Sequence, residues 1–370
     1  MNPASLQTPE GAARLTCFYH GGCPDGIGGA WALYRQLPDG TRAVLRKLGG
    51  LYNGAKGDAA RALQAGAPVF HGLAHGEARP PAELVAGRDV VYVDIVPKAE
   101  TLLWVAALAR TTTVLDHHRS ALPALEALAE AYPSAADGKD PPSWRARSVY
   151  DERRSGAQIA WDWATGDAPR PAVLDYIGDR DLYEFKLPHS REVNKALYVE
   201  GVTRGFAALS AFDVDAADPE GKTGGVSAAV IERGGAYARY EALMLARLAA
   251  NARLARVQAL LPGDEAPRDY CILIVNAPLL QSELGEALMA TATAEVHFAV
   301  MWSYNHDRHE IWASARTNRP DIDLSKIIPH LVGATNGGGH PAAAGFSVAG
   351  DSIAAVAAAM PPTPPRTAGC

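Results

Sequence analysis

Three short apolar runs of this chain end in Asp or His side chains, and this feature constrains the fold most. The runs are LTCFYH (15–20), VVYVD (90–94) and TTVLDHH (112–118), and each precedes a segment with helical periodicity. Continuous apolar strands that alternate with helices are typical of a mostly parallel sheet covered by helices on both faces. The predicted fold class is therefore α/β.

The polar strand ends predict a ligand site. In an open parallel sheet, ligands bind beyond the carboxyl ends of the strands, so His20, Asp94, Asp116 and His117 are expected to converge there. Taken singly, an Asp after a strand is usually a turn residue or a helix cap. Together, carboxylates and imidazoles suit Mn²⁺, Mg²⁺ or Zn²⁺. Without a cation, so many carboxylates would repel one another, so the sequence predicts a metal centre.

The second half of the chain contains a long segment without Gly or Pro, residues 236–261, which predicts one long helix. New strand candidates follow it at 270–276, 297–302 and 309–316. The helix is therefore expected to join a larger α/β domain to a smaller one. The tail PPTPPRTAGC has a Pro-rich composition that is typical of disorder.

Composition excludes several classes of protein. A net charge of −6 argues against a protein that coats long nucleic acid, because such proteins usually carry a basic surface. The four cysteines form no CxxC pair, so neither a disulfide framework nor a structural zinc site is expected. No signal-peptide pattern and no apolar run of about 18 residues is present. A cytoplasmic protein without a membrane partner is therefore expected.

The motifs resemble those of the DHH phosphoesterase superfamily, which is named for its Asp-His-His motif. The resemblance rests on DHH (116–118), on HGGCPDGIGGAW (20–31), and on ATNGGGHPAAAGF (334–346), which is similar to the mark of the DHH-associated C-terminal domain. It extends over most of the chain and is strongest to the bacterial exopolyphosphatase-related subgroup. The implied organisation has four parts: a DHH domain (14–205), a linker with the long helix (206–264), a DHH-associated substrate-binding domain (265–352) and a tail (353–370).

The resemblance also implies a metal-ligand set. Members of the superfamily use two divalent cations, commonly Mn²⁺, with Mg²⁺ or Zn²⁺ as alternatives. In the motif GDRD, Asp179 matches the fourth acidic motif better than Asp181 because it follows the apolar pair Ile-Gly. The catalytic set implied is His118, facing the scissile phosphate, together with Asp94 and Asp116. The implied metal ligands are His20, Asp25, Asp94 as a bridging carboxylate, His117 and Asp179.

Cys23 departs from the pattern of the superfamily. Many members have two aspartates in the first motif, DxDG, whereas this chain has CPDG. Three alternatives follow from this difference. Cys23 ligates as a thiolate, which favours a softer metal, or His20 supplies the ligand in place of the first aspartate. In the third alternative, the second metal binds weakly. A fourth alternative is that Cys23 is only a small buried residue. The sequence leaves these alternatives open.

A phosphate-binding role is expected for the second domain. Gly337, Gly338 and Gly339 allow the backbone to approach an anion and to take positive φ, and His340 adds a donor. An isolated glycine triplet is more often a flexible turn, and it is the resemblance that favours the anion site. Arg316 ends a predicted strand and suits a bidentate hold on a terminal phosphate, a role that the resemblance also implies.

The activity implied by the resemblance is phosphoester hydrolysis. We expect hydrolysis at the end of short single-stranded oligonucleotides, in the manner of an exonuclease. The reason is that a phosphate-binding group in a second domain suits a phosphodiesterase that binds the end of its substrate. Exopolyphosphatase-like hydrolysis of phosphoanhydrides and cleavage of cyclic dinucleotides are the alternatives within the enzyme class. From another class, Cys23 motivates a non-catalytic nucleotide-binding module. A small phosphorylated substrate or a short single-stranded nucleic acid is the expected partner, and a homodimer is one option for the assembly.

Overall fold

The chain forms two compact units, with the boundary between Ala238 and Arg239. The structure, a computed structural model, describes residues 1–48, 56–74, 77–133, 145–166, 168–202, 205–216 and 226–359. Most of the predicted Pro-rich tail lies outside the described residues. None of the helices in the described ranges has the length and hydrophobicity needed to cross a bilayer.

The first unit contains a five-stranded sheet in the order β2-β1-β3-β4-β5. All four neighbouring pairs are parallel, which confirms the predicted α/β class with a parallel sheet. The edge strand β2 was not predicted. The strands are β1 (Leu15–His20), β2 (Val69–Leu73), β3 (Asp89–Val93), β4 (Thr111–Asp116) and β5 (Ala146–Tyr150).

Helices surround this sheet, and its central strands β3 and β4 are buried along their whole length. Trp31, Tyr19 and Tyr92 are fully buried in the core of the unit. The helices are α1 (Pro9–Ala13), α2 (Pro24–Arg35), α3 (Asp39–Leu48), α4 (Lys56–Gln64), α5 (Ala99–Leu108), α6 (Leu122–Ala131), α7 (Gly156–Thr165), α8 (Ala172–Asp181), α9 (Ser190–Ala196) and α10 (Phe206–Ala216).

The register of the parallel strands aligns their polar ends. Val93 of β3 pairs with Tyr19 of β1 on one side and with Leu115 of β4 on the other. The next residues along the three strands therefore lie at the same edge of the sheet. This register is what brings the three predicted strand ends together.

The second unit contains a seven-stranded mixed sheet in the order β10-β11-β9-β8-β7-β6-β12. Only the pair β7–β8 is parallel among the pairings of this sheet in the described residues. Its elements are β6 (Arg253–Ala259), β7 (Arg268–Asn276), α12 (Gln281–Thr291), β8 (Phe298–Asn305), β9 (Glu310–Arg316), α13 (Leu324–Ile327), β10 (Asn336–Gly339), β11 (Ala343–Ala349) and β12 (Ala358–Ala359).

The predicted long helix is wrong in its bounds. Helix α11 spans Ala228–Ala249 and includes Gly234, where an added Cβ would lie 1.9 Å from the carbonyl oxygen of Glu192. Glycine is therefore retained inside this helix for close packing. The segment RLARVQA that follows alternates exposed and buried residues and forms β6, because a period of two places one face of a strand in the core. The predicted linker, residues 206–264, is divided between the two units.

Candidate metal centre

Asp94 occupies a strained position at the end of β3. Its φ is +57°, a left-handed conformation that costs a residue other than glycine about 1–3 kcal/mol. The backbone N–H of Asp94 donates to the carbonyl oxygen of Leu115, 3.0 Å away, and its side chain is buried. Such strain is concentrated at functional sites, where the surrounding structure holds it in place.

The two carboxylate oxygens of Asp94 face different histidines. Oδ2 lies 3.3 Å from Nδ1 of His20, and Oδ1 lies 3.3 Å from Nε2 of His117. A carboxylate whose oxygens point to two separate sets of ligands is suited to bridge two cations. The predicted bridging role of Asp94 agrees with this geometry.

Nε2 of His117 lies among three carboxylates. It is 3.3 Å from Oδ1 of Asp94, 3.3 Å from Oδ2 of Asp181 and 3.6 Å from Oδ2 of Asp25. A single ring N–H cannot donate to three carboxylates at once. A divalent cation among these oxygens and this nitrogen would satisfy all four groups, since carboxylates and imidazole are its ordinary ligands.

Asp25 is held in place by the start of helix α7. Its Oδ2 accepts a hydrogen bond of 2.6 Å from the N–H of Gly156, and its Oδ1 accepts one of 2.9 Å from Ala157. The N-cap of this helix is Ser155, which forms a capping box with Gln158. The first backbone N–H groups of α7 therefore orient a fully buried carboxylate toward His117.

Three sets of ligand-type side chains lie close enough to hold a cation. The ligand atoms of each set lie within 4.8 Å of one another. Asp94 belongs to two of the sets and His117 to two, so the sets adjoin. The sets are His20, Cys23 and Asp94; Asp94, His117 and His118; and Asp25, His117 and Asp181. This donor chemistry fits the expected pair of adjacent divalent cations.

The electrostatics of the cluster favour the binding of a cation. Burial raises the pKa of Asp25, and the nearby carboxylates of Asp94 and Asp181 raise it further. Burial lowers the pKa of His117, but its hydrogen bond to Asp94 and the surrounding carboxylates outweigh that effect and raise the pKa to about 9. Without a cation, the cluster therefore retains protons that a bound metal would displace.

Asp181 lies in the cluster with Asp25 and His117, whereas the predicted ligand Asp179 does not. Both oxygens of Asp179 accept backbone N–H groups, from Lys186 at 2.8 Å and from Leu187 at 3.2 Å. That carboxylate fixes the loop after α8 and does not join the cluster. The two aspartates are two residues apart on one helix, so they point in roughly opposite directions at 3.6 residues per turn.

His118 and Asp116 form a pair beside the cluster. Oδ1 of Asp116 accepts from the backbone N–H of His118 at 2.7 Å and lies 3.1 Å from its Nδ1. The His118 side chain is 37% exposed, whereas Asp116 is buried. The hydrogen bond to Asp116 raises the pKa of His118, although burial opposes this. Asp116 therefore orients His118 and leaves the other ring nitrogen, Nε2, to contact a substrate.

Cys23 lies with the ligands, since its Sγ belongs to the set with His20 and Asp94. Burial raises the pKa of this thiol, and the charges of Asp94 and Asp25 raise it further. The thiol is therefore protonated unless a cation displaces its proton. Cys23 is partly buried, and its place beside His20 and Asp94 agrees with the alternative in which it ligates a cation.

The glycine triplet lies in a strand and not in a flexible turn. Gly337, Gly338 and Gly339 belong to strand β10, and only Gly339 of the three has positive φ, at +152°. All three glycines pair with β11. His340 lies in the turn after β10, where its N–H donates to the carbonyl oxygen of Ala343 at 2.7 Å.

Arg316 is half-buried at the end of β9 and has hydroxyl partners. Its Nη1 donates to Oγ of Ser314 and its Nη2 to Oγ of Ser282, both at 2.8 Å. Within the described part of the chain, no ion pair forms between Arg316 and a carboxylate. Burial lowers the pKa of Arg316, and the nearby charge of Glu283 opposes this effect. A guanidinium held in place by two hydroxyl groups is suited to an incoming phosphate.

Gly156 is a supporting residue that the sequence did not reveal, and its replacement should impair the centre. A Cβ at Gly156 would lie 2.7 Å from Cβ of Asp94 and 2.9 Å from Oδ2 of Asp25. We expect Gly156→Ala to weaken Mn²⁺ binding by about tenfold or more, as loss of outer-shell support commonly does. Isothermal titration with Mn²⁺ measures this. Gly40→Ala, where the added Cβ meets open space, is the control, and equal affinities would contradict the prediction.

The affinity for Mn²⁺ is expected to rise with pH between about 6 and 8. His117 has a pKa of about 9 without metal, so it holds a proton throughout this range and must release it to ligate. The affinity should therefore increase by about tenfold per pH unit for each proton displaced. Titrations in buffers of different ionisation enthalpy count the released protons. A constant affinity with no proton release would contradict the prediction.

Comparison with known proteins gives the following relatives. No family model matches the chain. Among curated proteins, the chain is 22% identical over 266 residues to an uncharacterized protein, R106, of Acanthamoeba polyphaga mimivirus. The match covers 72% of this chain and 54% of that protein, so the chain spans about half the length of this relative.

Three solved structures are similar to this chain over most of its length. A pGpG-specific phosphodiesterase, PggH, from Vibrio cholerae has a TM-score of 0.43 and 11% identity, covering 90% of this chain and 93% of its own. CDC45 from Entamoeba histolytica has a TM-score of 0.36 and 8% identity, covering 93% and 94%. A putative family II inorganic pyrophosphatase from Methanococcus jannaschii has a TM-score of 0.27 and 11% identity, covering 82% and 87%. The chain resembles the DHH phosphoesterase superfamily in the motifs that build its metal centre.

Proposed function

We propose that this chain is a divalent-metal-dependent phosphoesterase. The observation that carries the proposal is the position of Nε2 of His117, which lies 3.3–3.6 Å from the carboxylates of Asp25, Asp94 and Asp181. These residues come from the ends of two strands and from two helices. Placing these carboxylates together lowers the stability of the fold, because buried carboxylates repel one another unless a cation lies between them. A purely structural role therefore does not explain their convergence.

Two groups of residues divide the ligand roles. Asp25, Asp94, His117 and Asp181 would hold one cation, and Asp94 with His20 and Cys23 would hold the other. When bound, such cations polarise a phosphoryl oxygen and lower the pKa of a water molecule to near neutrality. Mn²⁺ is our proposed metal because the donor set is dominated by oxygen and imidazole.

His118 is the proposed catalytic side chain for the phosphate itself. Asp116 holds its Nδ1 and raises its pKa despite burial, so the ring can donate from Nε2 to a phosphoryl oxygen. A donor placed where negative charge grows lowers the barrier to in-line displacement. Asp116 touches no reacting atom and is therefore a positioning residue.

The proposed substrate is the end of a short single-stranded oligonucleotide. Arg316, with Ser282 and Ser314 as its hydroxyl partners, supplies a phosphate-binding group on elements other than those that carry the metal ligands. Separate groups for metal binding and for phosphate binding suit a substrate with more than one phosphate. Polyphosphate and cyclic dinucleotides share that property and are the alternative substrates.

Hydrolysis assays with Mn²⁺ distinguish these substrates. The purified chain is incubated with single-stranded oligonucleotides, polyphosphate and cyclic dinucleotides, and the products are separated by chromatography. Release of mononucleotides supports the proposed substrate, and release of orthophosphate from polyphosphate alone contradicts it. If no phosphate compound is cleaved and no Mn²⁺ binds, the chain is a non-catalytic binding module and the proposal as a whole fails.

A further inference from the structure

One face of the second sheet presents an aromatic side chain and a guanidinium on the same strand. Side chains alternate between the two faces of a strand, so Trp312, Ser314 and Arg316 share one face of β9. The intervening residues Ala313 and Ala315 are buried on the other face. The face that carries Trp312 and Arg316 also carries residues of β11, which pairs with β9, and of β10, which pairs with β11.

On the side of β11 and β10, the part of this face next to Ser314 lacks large side chains. Ser314 pairs with Gly345 of β11, which pairs in turn with Gly338 of β10. A Cβ added at Gly338 would meet no atom within 4 Å, and one added at Gly345 would meet only the carbonyl oxygen of Ala313, at 3.6 Å. The surface above this row of residues is therefore open.

Trp312 differs from the other aromatic residues of this sheet. Trp302 and Tyr304 pack against the apolar core of the second unit, as expected from strand alternation. Trp312 is 46% exposed, its Nε1 donates to Oε1 of Glu310 at 2.6 Å, and the guanidinium of Arg308 lies 5.7 Å from its ring centre. The ring is therefore held in position while a large part of it is exposed to solvent.

The spacing of these groups matches the parts of a nucleotide. Four residues of strand separate Trp312 from Arg316, which corresponds to about 13 Å at roughly 3.3 Å per residue. The guanidinium of Arg316 lies over the near end of this row, since its Nη1 donates to Oγ of Ser314 at 2.8 Å. A phosphate, a sugar and a base in line would fill this span.

We propose that this face binds one nucleotide of the substrate, with the base stacked on Trp312, the sugar above Ser314 and Gly345, and the phosphate at Arg316. The inference rests on the proposed function, because it selects a nucleotide among the phosphate compounds that the chain might cleave. Stacking on an aromatic ring tolerates every base, so the face selects for the presence of a base and not for its identity. Polyphosphate has no group for Trp312.

Binding of AMP and of ribose 5-phosphate to the whole chain tests this inference. Titrations are made in EDTA, so that neither metal binding nor hydrolysis contributes. We expect AMP to bind about tenfold more tightly than ribose 5-phosphate, in keeping with the contribution of one stacked base. Trp312→Ala should abolish this difference and leave the affinity for ribose 5-phosphate unchanged. Arg316→Ala should weaken the binding of both compounds.

Two further variants strengthen the test. Gly345→Leu adds a side chain into open space, so the fold is expected to tolerate it, and it should weaken the binding of both compounds by covering the open row. Leu260→Ala removes a side chain whose exposed fraction, 47%, matches that of Trp312, and it should change neither affinity. Thermal melting verifies that each variant is folded.

The outcomes separate this inference from the proposed function. If AMP and ribose 5-phosphate bind equally to the wild-type chain, or if Trp312→Ala retains the preference for AMP, the inference is overturned. Hydrolysis is assayed separately with Mn²⁺. If the chain cleaves a phosphoester but shows no preference for AMP, the proposed function stands and only the inference of a nucleotide-binding face is rejected.

Discussion

Replacement of Asp94 by Asn is expected to lower Mn²⁺-dependent hydrolysis by at least about a thousandfold. Asp94 contacts both His20 and His117, so its loss removes a ligand from both proposed cation positions. Asn is the suitable replacement because its side chain has nearly the same size and because Asn tolerates the left-handed conformation at φ +57°. Steady-state kinetics with the oligonucleotide substrate give the ratio of kcat/KM values.

The control for this variant is Asp213→Asn. Asp213 is a partly buried carboxylate of the same unit that pairs with Arg35 at 3.2 Å, and its replacement should leave hydrolysis within about twofold of the wild type, as is usual for a residue that does not contact the reacting groups. Thermal melting should show that both variants are folded. Near-normal turnover by Asp94→Asn would show that the metal centre is assigned to the wrong residues.

The pair of variants Asp181→Asn and Asp179→Asn should give opposite results. Asp181 lies 3.3 Å from Nε2 of His117, and we expect its replacement to lower both Mn²⁺ affinity and hydrolysis by about a hundredfold. The melting temperature without metal should not fall. Burial and the charge of Asp94 raise the pKa of Asp181, so its ionised form opposes folding of the metal-free chain.

Asp179→Asn should instead lower stability. Asn has one carbonyl oxygen where Asp179 uses both carboxylate oxygens to accept the N–H groups of Lys186 and Leu187. Loss of one of these buried hydrogen bonds costs about 1–3 kcal/mol, which denaturant unfolding measures. Mn²⁺ affinity should change by less than about threefold, because Asp179 is not a ligand. If Asp179→Asn lost Mn²⁺ binding and Asp181→Asn did not, Asp179 would be the metal ligand, as expected from the sequence.

The strand ends show what the sequence does predict about this site. A buried parallel strand must be apolar throughout its length, so a polar residue marks its end, and parallel strands bring such ends to one edge. His20, Asp94 and His117 were predicted on this basis, and the register of β1, β3 and β4 brings them together. The conformation of Asp94 and the close approach of Gly156 depend on packing between distant segments, which no local pattern encodes.

The errors have equally specific causes. In GDRD, both aspartates follow the same apolar residues, and only the rotation of helix α8 within the unit decides which one faces His117. The segment 253–259 contains residues that favour helices, but its alternation of exposed and buried positions satisfies the sheet of the second unit. Tertiary packing therefore outweighed local propensity there.

A crystal structure with Mn²⁺, solved with anomalous data collected at the manganese edge, tests the metal centre most directly. The account predicts two anomalous peaks about 3.5–4 Å apart, both in contact with Asp94. One peak should also contact Asp25, His117 and Asp181, and the other should contact His20. A single peak, peaks away from Asp94, or a second peak ligated by Asp179 would contradict it.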